Sequence, residues 1–81
     1  MSIENTIREY ILENFLFTTD QDALVNEDSF LEKGILDSTG ILEIIFMIEE
    51  KFEIHVDDNE MIPENLDSVN NIVKFLNKKT S

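Results

Sequence analysis

The sequence predicts an all-α chain of three long helices and one short one, with a long loop between the first two. Three observations carry that expectation. Apolar residues recur at helical spacing in three separate stretches, while strand-like alternation is confined to Ile54 and Val56. Only two glycines and one proline occur among 81 residues, so little interrupts a helix. A composition of 42% hydrophobic and 30% charged residues is that of a packed globular chain rather than a disordered one. With about 150 residues as the usual allotment per domain, residues 1–81 are expected to form one small domain around one core.

The elements follow in order. Ile3, Ile7, Ile11 and Phe15 recur every fourth residue with Tyr10 beside them, and Glu4, Arg8, Glu9 and Glu13 fall elsewhere on the turn, which predicts an amphipathic helix over 3–16. From Thr18 to Asp37 the periodicity lapses. A loop of roughly twenty residues is uncommon in so small a domain and needs its own anchors; Phe30, Leu31, Ile35 and Leu36 are the apolar candidates. Ile41, Ile45, Ile48 and Phe52 predict the second helix, from Ser38 to Phe52. Pro63 opens a short helix to Asp67. Val69, Ile72, Val73 and Leu76 predict the last, capped by Asp67 or Ser68 and carrying Lys74, Lys78 and Lys79 toward its C-terminus, where cations are favoured. The final KKTS is expected to fray. Ile7, Ile11, Phe30, Ile45, Ile48, Phe52, Ile54, Ile72 and Leu76 are the expected interior, either fully packed or able to part around an apolar chain.

Charge and composition exclude several functions. Six basic against eighteen acidic residues give a net charge of −12, which repels nucleic-acid phosphates and anionic membranes and attracts basic protein surfaces. No cysteine means no disulfide, thiolate nucleophile or cysteine metal site, and the single histidine, His55, leaves one imidazole for any catalysis. The N-terminal residues do not have the pattern of a signal peptide, and no run of about 20 apolar residues occurs, so a cytoplasmic location is expected.

The second helix has two apolar faces. Counted from Ile41, its core arc holds Ile41, Ile44, Ile45, Ile48 and Phe52, whereas Leu42 and Phe46 fall at about 100° and 140° and Met47 at about 240°. Glu43, Glu49 and Glu50 flank the outlying pair. Either Leu42 and Phe46 pack beneath the long loop, or they form a docking surface for a basic partner, with Met47 at its edge. Gly34-Ile35-Leu36-Asp37-Ser38 leads into this helix and puts the Ser38 hydroxyl at its N-terminus, where N–H groups and the dipole tolerate a phosphate ester. A serine or aspartate at such a place is more often just a cap. Against a cap, no Glu or Gln follows Ser38 by three residues, and Gly40 in the first turn costs up to about 1 kcal/mol relative to alanine. Asp67-Ser68-Val69 repeats the pattern at the last helix without flanking carboxylates, which reads as an ordinary cap.

Gly34-Ile35-Leu36-Asp37-Ser38, followed by Leu42-Glu43, Glu49-Glu50 and Phe52, resembles the acyl carrier protein family over nearly the whole chain. The resemblance implies a small four-helix bundle in which Ser38, beside Asp37, receives 4′-phosphopantetheine from a phosphopantetheinyl transferase. The arm's terminal thiol then carries an acyl or aminoacyl group as a thioester, so the thiol missing from the sequence is imported. Such a protein is a monomeric cosubstrate, not an enzyme. Its implied partners are the transferase, an acyl- or aminoacyl-loading ligase, and acyltransferases or synthases that read Leu42, Glu43, Phe46, Met47, Glu49 and Glu50. Thr39 stands where the family usually has leucine. The wording Gly-Ile-Leu-Asp-Ser-Thr-Gly is closer to free-standing carriers of secondary metabolism than to the housekeeping fatty-acid carrier.

Three rival readings differ in class. A calcium loop starting at Asp57 puts Ile62 at the glycine position and Ser68 at the glutamate position, so Asp57-Asp58-Asn59-Glu60 reads as a solvated turn and no metal site is expected. A hydrolase using Ser38 and His55 has no Gly-x-Ser-x-Gly elbow. An unmodified acidic adaptor would bind a basic partner through Leu42, Phe46 and the glutamates, and its binding would survive loss of the Ser38 hydroxyl.

Overall fold

The computed structural model describes residues 2–80, and no strand occurs among them. Helix α1 spans Ile3–Ile11, with the Ser2 side chain accepting from Asn5 N at 3.0 Å, and continues as a π-helical turn, Leu12–Leu16. Phe17 ends it in the left-handed region, at φ 52°. A 3₁₀ turn, Gln21–Ala23, and the single-turn helix α2, Phe30–Lys33, follow. Gly34 stops α2 at φ 70°, a conformation that costs glycine nothing, and its N–H returns to Leu31 O. Helix α3 is Ser38–Phe52, α4 is Pro63–Leu66 with proline in its first turn, and α5 is Val69–Thr80; a 3₁₀ turn, Asp58–Glu60, precedes α4. The expected helices are all present, and α2 adds a turn within the loop that the apolar pattern did not show.

One core joins them. Ile7, Ile11 and Leu12 meet Ile44, Ile45 and Ile48 of α3 and Val69, Ile72, Phe75 and Leu76 of α5, with Val56 and Leu66 completing it. Seven of the nine expected interior residues are buried, and Phe52 and Ile54 sit half-buried at the edge. The long loop is anchored by Phe30 and Leu36 as expected, together with Leu24. Leu31 is not an anchor. It is 48% exposed, because adjacent residues of one helical turn point about 100° apart and Phe30 already takes the inward direction.

Arg8 ties the loop to α1. Its Nη1 donates to Leu24 O (2.8 Å) and Asn26 Oδ1 (2.6 Å), and its Nη2 to Gln21 O (2.6 Å). A planar fork suits this set and an ammonium does not. Arg8→Ala is expected to cost about 1–3 kcal/mol by stranding these acceptors, and Arg8→Lys to recover little of it. Urea denaturation gives the stability, and faster limited proteolysis within 18–28 locates the loosened segment.

Of the final KKTS, residues 78–80 do not fray as expected, and Ser81 lies outside the described residues. Helix α5 runs to Thr80, and Lys79 Nζ lies 2.8 Å from Glu60 Oε1 and over the Phe75 ring. The Lys79 hydrogen bond, and then the Asp57 N–H, hold the Glu60 carboxyl below its ordinary value of 4.5. A depressed carboxylate contributes stability that is full above its unfolded value and lost as pH falls through the folded one. Glu60→Gln is therefore expected to flatten the decline of melting temperature below pH 4.5 relative to wild type, with the two proteins compared across an acid series.

Candidate functional site

Ser38 is the first residue of α3 and not its cap. The cap is Asp37, whose Oδ1 accepts from Gly40 N at 2.9 Å while its carbonyl accepts from Ile41 N. Ser38 is exposed, and among the described residues its hydroxyl has no hydrogen-bond partner. The second Asp-Ser pair behaves differently: Ser68 is 5% exposed, and its Oγ accepts from Asn71 N at 3.0 Å. One serine is used up in capping and the other is left free.

Gly40 has a packing reason. A Cβ there would lie 3.1 Å from Leu36 Cδ2 and 3.3 Å from the Phe15 ring, so glycine lets the end of α1 and the loop close against the first turn of α3. Two open clefts meet at Ser38. One, of about 310 Å³, runs between α3 and α4 with a mainly apolar lining that includes Ile41, Leu42, Ile45, Met61 and Ile62. The other, of about 500 Å³, lies toward the loop against Phe15, Gly34, Ile35, Leu36 and Asp37. Leu31 borders both.

The outward face of α3 is partly as expected. Leu42 and Phe46 are 49% and 67% exposed, and Glu43 and Glu50 are exposed beside them. Met47 is not on that surface. It is buried on the side of α3 that faces Tyr10 of α1 and Asn14 of the π-helical turn, a direction the wheel of a lone helix does not reveal. Glu49 is not a free carboxylate either: it accepts from Val56 N at 2.9 Å and faces His55 at 3.3 Å, holding the chain that leaves α3. Burial, and then the Glu43 carboxylate, raise the Tyr10 hydroxyl above its ordinary 10.0.

His55 stands beyond the far end of α3, roughly 20 Å from Ser38 at about 1.5 Å per residue. Exposed and lying between Glu49 and Asp57, it cannot serve Ser38 as a base, which ends the hydrolase reading. In the acidic turn, Glu60 is committed to Asp57 N and Lys79, and among the described residues no group of three or more His, Cys, Asp or Glu is placed to hold a metal. Among them, too, no helix is long and apolar enough to cross a membrane.

No family model matches the chain. Individual proteins do. The D-alanyl carrier protein of Streptococcus uberis is 39% identical over 71 residues, covering 85% of this chain and 89% of that protein. The acyl carrier protein of Desulforapulum autotrophicum is 30% identical over 80 residues, covering 99% and 100%. The chain belongs to the acyl carrier protein family. The solution structure of a holo acyl carrier protein from Nitrosomonas europaea shares the fold, with a TM-score of 0.78 at 21% identity over 99% of this chain and 98% of that one. This carrier is therefore a cosubstrate that performs no catalysis itself; carrier proteins in general work with ligases, transferases and synthases. Acyl carrier proteins hold their cargo on phosphopantetheine, and an exposed serine hydroxyl without a partner, at the start of a 15-residue helix and open to clefts on two sides, fits that group.

Proposed function

We propose that Ser38 is the attachment point of 4′-phosphopantetheine and that the cargo is an aminoacyl group. The observation that carries the first part is the division of labour at the start of α3, with Asp37 capping and Ser38 free. In loading, Ser38 Oγ forms a phosphodiester bond, the pyrophosphate link of coenzyme A breaks, the adenine nucleotide leaves, and the hydroxyl proton passes to the phosphopantetheinyl transferase. The new anion lies at the helix N-terminus, where the dipole favours it. Once in place, the arm supplies a terminal thiol on which cargo travels as a thioester. Tethering keeps that cargo at high local concentration for each enzyme visited.

The aminoacyl reading draws on the relatives. D-alanyl carrier proteins of S. uberis and S. pyogenes are 39% and 38% identical to this chain, against 28% for the acyl carrier protein of Campylobacter curvus. A fatty-acyl cargo is the second reading, favoured by the apolar cleft between α3 and α4. Loading ligase and acyltransferase or synthase would meet Leu42 and Phe46 with basic residues opposite Glu43 and Glu50; such contact is fast, salt-sensitive and readily reversed. The carrier acts as a cytoplasmic monomer.

Intact-protein mass after incubation with coenzyme A, Mg²⁺ and a broad-specificity transferase tests the site. A gain of one phosphopantetheine group is expected in wild type only and not in Ser38→Ala; no gain with several transferases would promote the unmodified adaptor. The loaded protein is then offered ATP with a D-alanine-activating or a fatty-acid-activating ligase, and the second mass gain identifies the cargo class.

A further inference from the structure

Leu31 is half exposed, yet its backbone is held firmly. Its N–H donates to Asp67 Oδ1 at 3.1 Å, the Phe30 N–H donates to Asp67 O at 2.7 Å, and the Ser29 hydroxyl donates to the other oxygen of the same carboxylate. Left-handed Gly34 closes the other end of the turn. These bonds join positions 36 and 38 residues apart for the two carboxylate contacts, so α2 is fixed against the junction of α4 and α5 with Leu31 facing water. Core packing does not explain an apolar side chain held in that direction, since buried Phe30 already anchors the turn.

Position supplies an explanation. Leu31 borders both clefts that meet at Ser38, so a group joined to Ser38 that lies along the surface toward α2 passes on one side of Leu31 or the other. The sides differ chemically. Toward the loop the lining is more polar and includes the carboxylate of Asp37, which accepts one hydrogen bond from Gly40 N and repels a phosphodiester. Toward α4 the walls are apolar, and the one carboxylate there, Asp67, already accepts two hydrogen bonds. The first apolar part of a phosphopantetheine arm is the branched methyl pair next to its phosphate, which cannot reach beyond the residues around Ser38.

We propose that Leu31 is a positioning contact for the arm on Ser38: it receives this methyl pair and keeps the base of the arm over the cleft between α3 and α4. The inference rests on the reading of Ser38 given above. It is tested by recording methyl NMR spectra of isotope-labelled protein before and after loading with coenzyme A and a transferase, with intact mass to count the group added. Loading is expected to move the methyl signals of Leu31, Leu42 and Ile62 and to leave those of Ile35 and Leu36 in place. Leu31→Ala is expected to fold and to load to the same mass, but to spread the changes to Ile35 and Leu36. Full mass gain with the Leu31 methyls unmoved, or a Leu31→Ala pattern identical to wild type, overturns this inference alone. Absence of any mass gain removes the Ser38 reading and this inference with it.

Discussion

Ser38→Ala is expected to abolish loading completely while leaving the melting temperature within about 4 °C of wild type. The first half follows from chemistry, since alanine offers no oxygen on which a phosphodiester can form. The second follows from the cap. Asp37, not Ser38, satisfies Gly40 N, so alanine at 38 removes no hydrogen bond from the fold. An exposed change away from such features stays within about 0.5 kcal/mol, and 1 kcal/mol moves a chain of this size by roughly 4–8 °C. Asp37→Ala is the counterpart. Losing the cap costs about 1 kcal/mol and lowers the melting temperature, while the hydroxyl remains available. Intact mass and thermal melts on the same two variants separate the roles. A stability loss in Ser38→Ala as large as that in Asp37→Ala would show the serine to be part of the cap.

Phe30→Ala is expected to remove about 3–5 kcal/mol, the largest loss from any single loop residue. At roughly 0.05–0.15 kcal/mol per residue, a chain of this length holds about 4–12 kcal/mol in all, so the variant will be partly unfolded if the wild type lies near the lower limit. Phe30 is fully buried, and the loss comes from its ring, since alanine keeps the backbone bonds of the turn, in which the residue 30 N–H donates to Asp67 O and its carbonyl accepts from Ile35 N and Leu36 N. Leu31→Ala beside it is expected to cost well under half as much, since that side chain is only half buried. Urea denaturation of the pair measures the contrast. Equal losses would mean that α2 is held by its backbone bonds rather than by the buried ring.

Helix α3 was legible from end to end because its signals are local: an acidic residue and a serine before a run with apolar residues at i, i+4 and i+7. The exposed serine at the start of α3 was legible for the same reason, although which of Asp37 and Ser38 capped the helix was not. Failures cluster where partners are distant in sequence. Nothing in the spacing around Arg8 shows that it will reach Leu24 and Asn26, or that Lys79 will find Glu60 and keep the C-terminal turn wound. Met47 was misplaced because the wheel of one helix does not show that α1 lies over that side. Glu49 was counted as a docking charge because its acceptor role is set by a chain that turns back after α3. Leu31 was assigned inward with Phe30, although it lies about 100° from Phe30 on a short turn whose inward direction Phe30 takes.

The free hydroxyl at the start of α3 has a consequence for signalling. Because no hydrogen bond of the fold passes through Ser38 Oγ, esterifying it would break none of the bonds that hold the bundle. The scaffold is in that sense blind to its own status. Under the proposed attachment, whether the carrier is empty, armed or charged is then written in the arm and its contacts beside Ser38, and an enzyme that must tell these forms apart has to read those rather than a rearranged bundle.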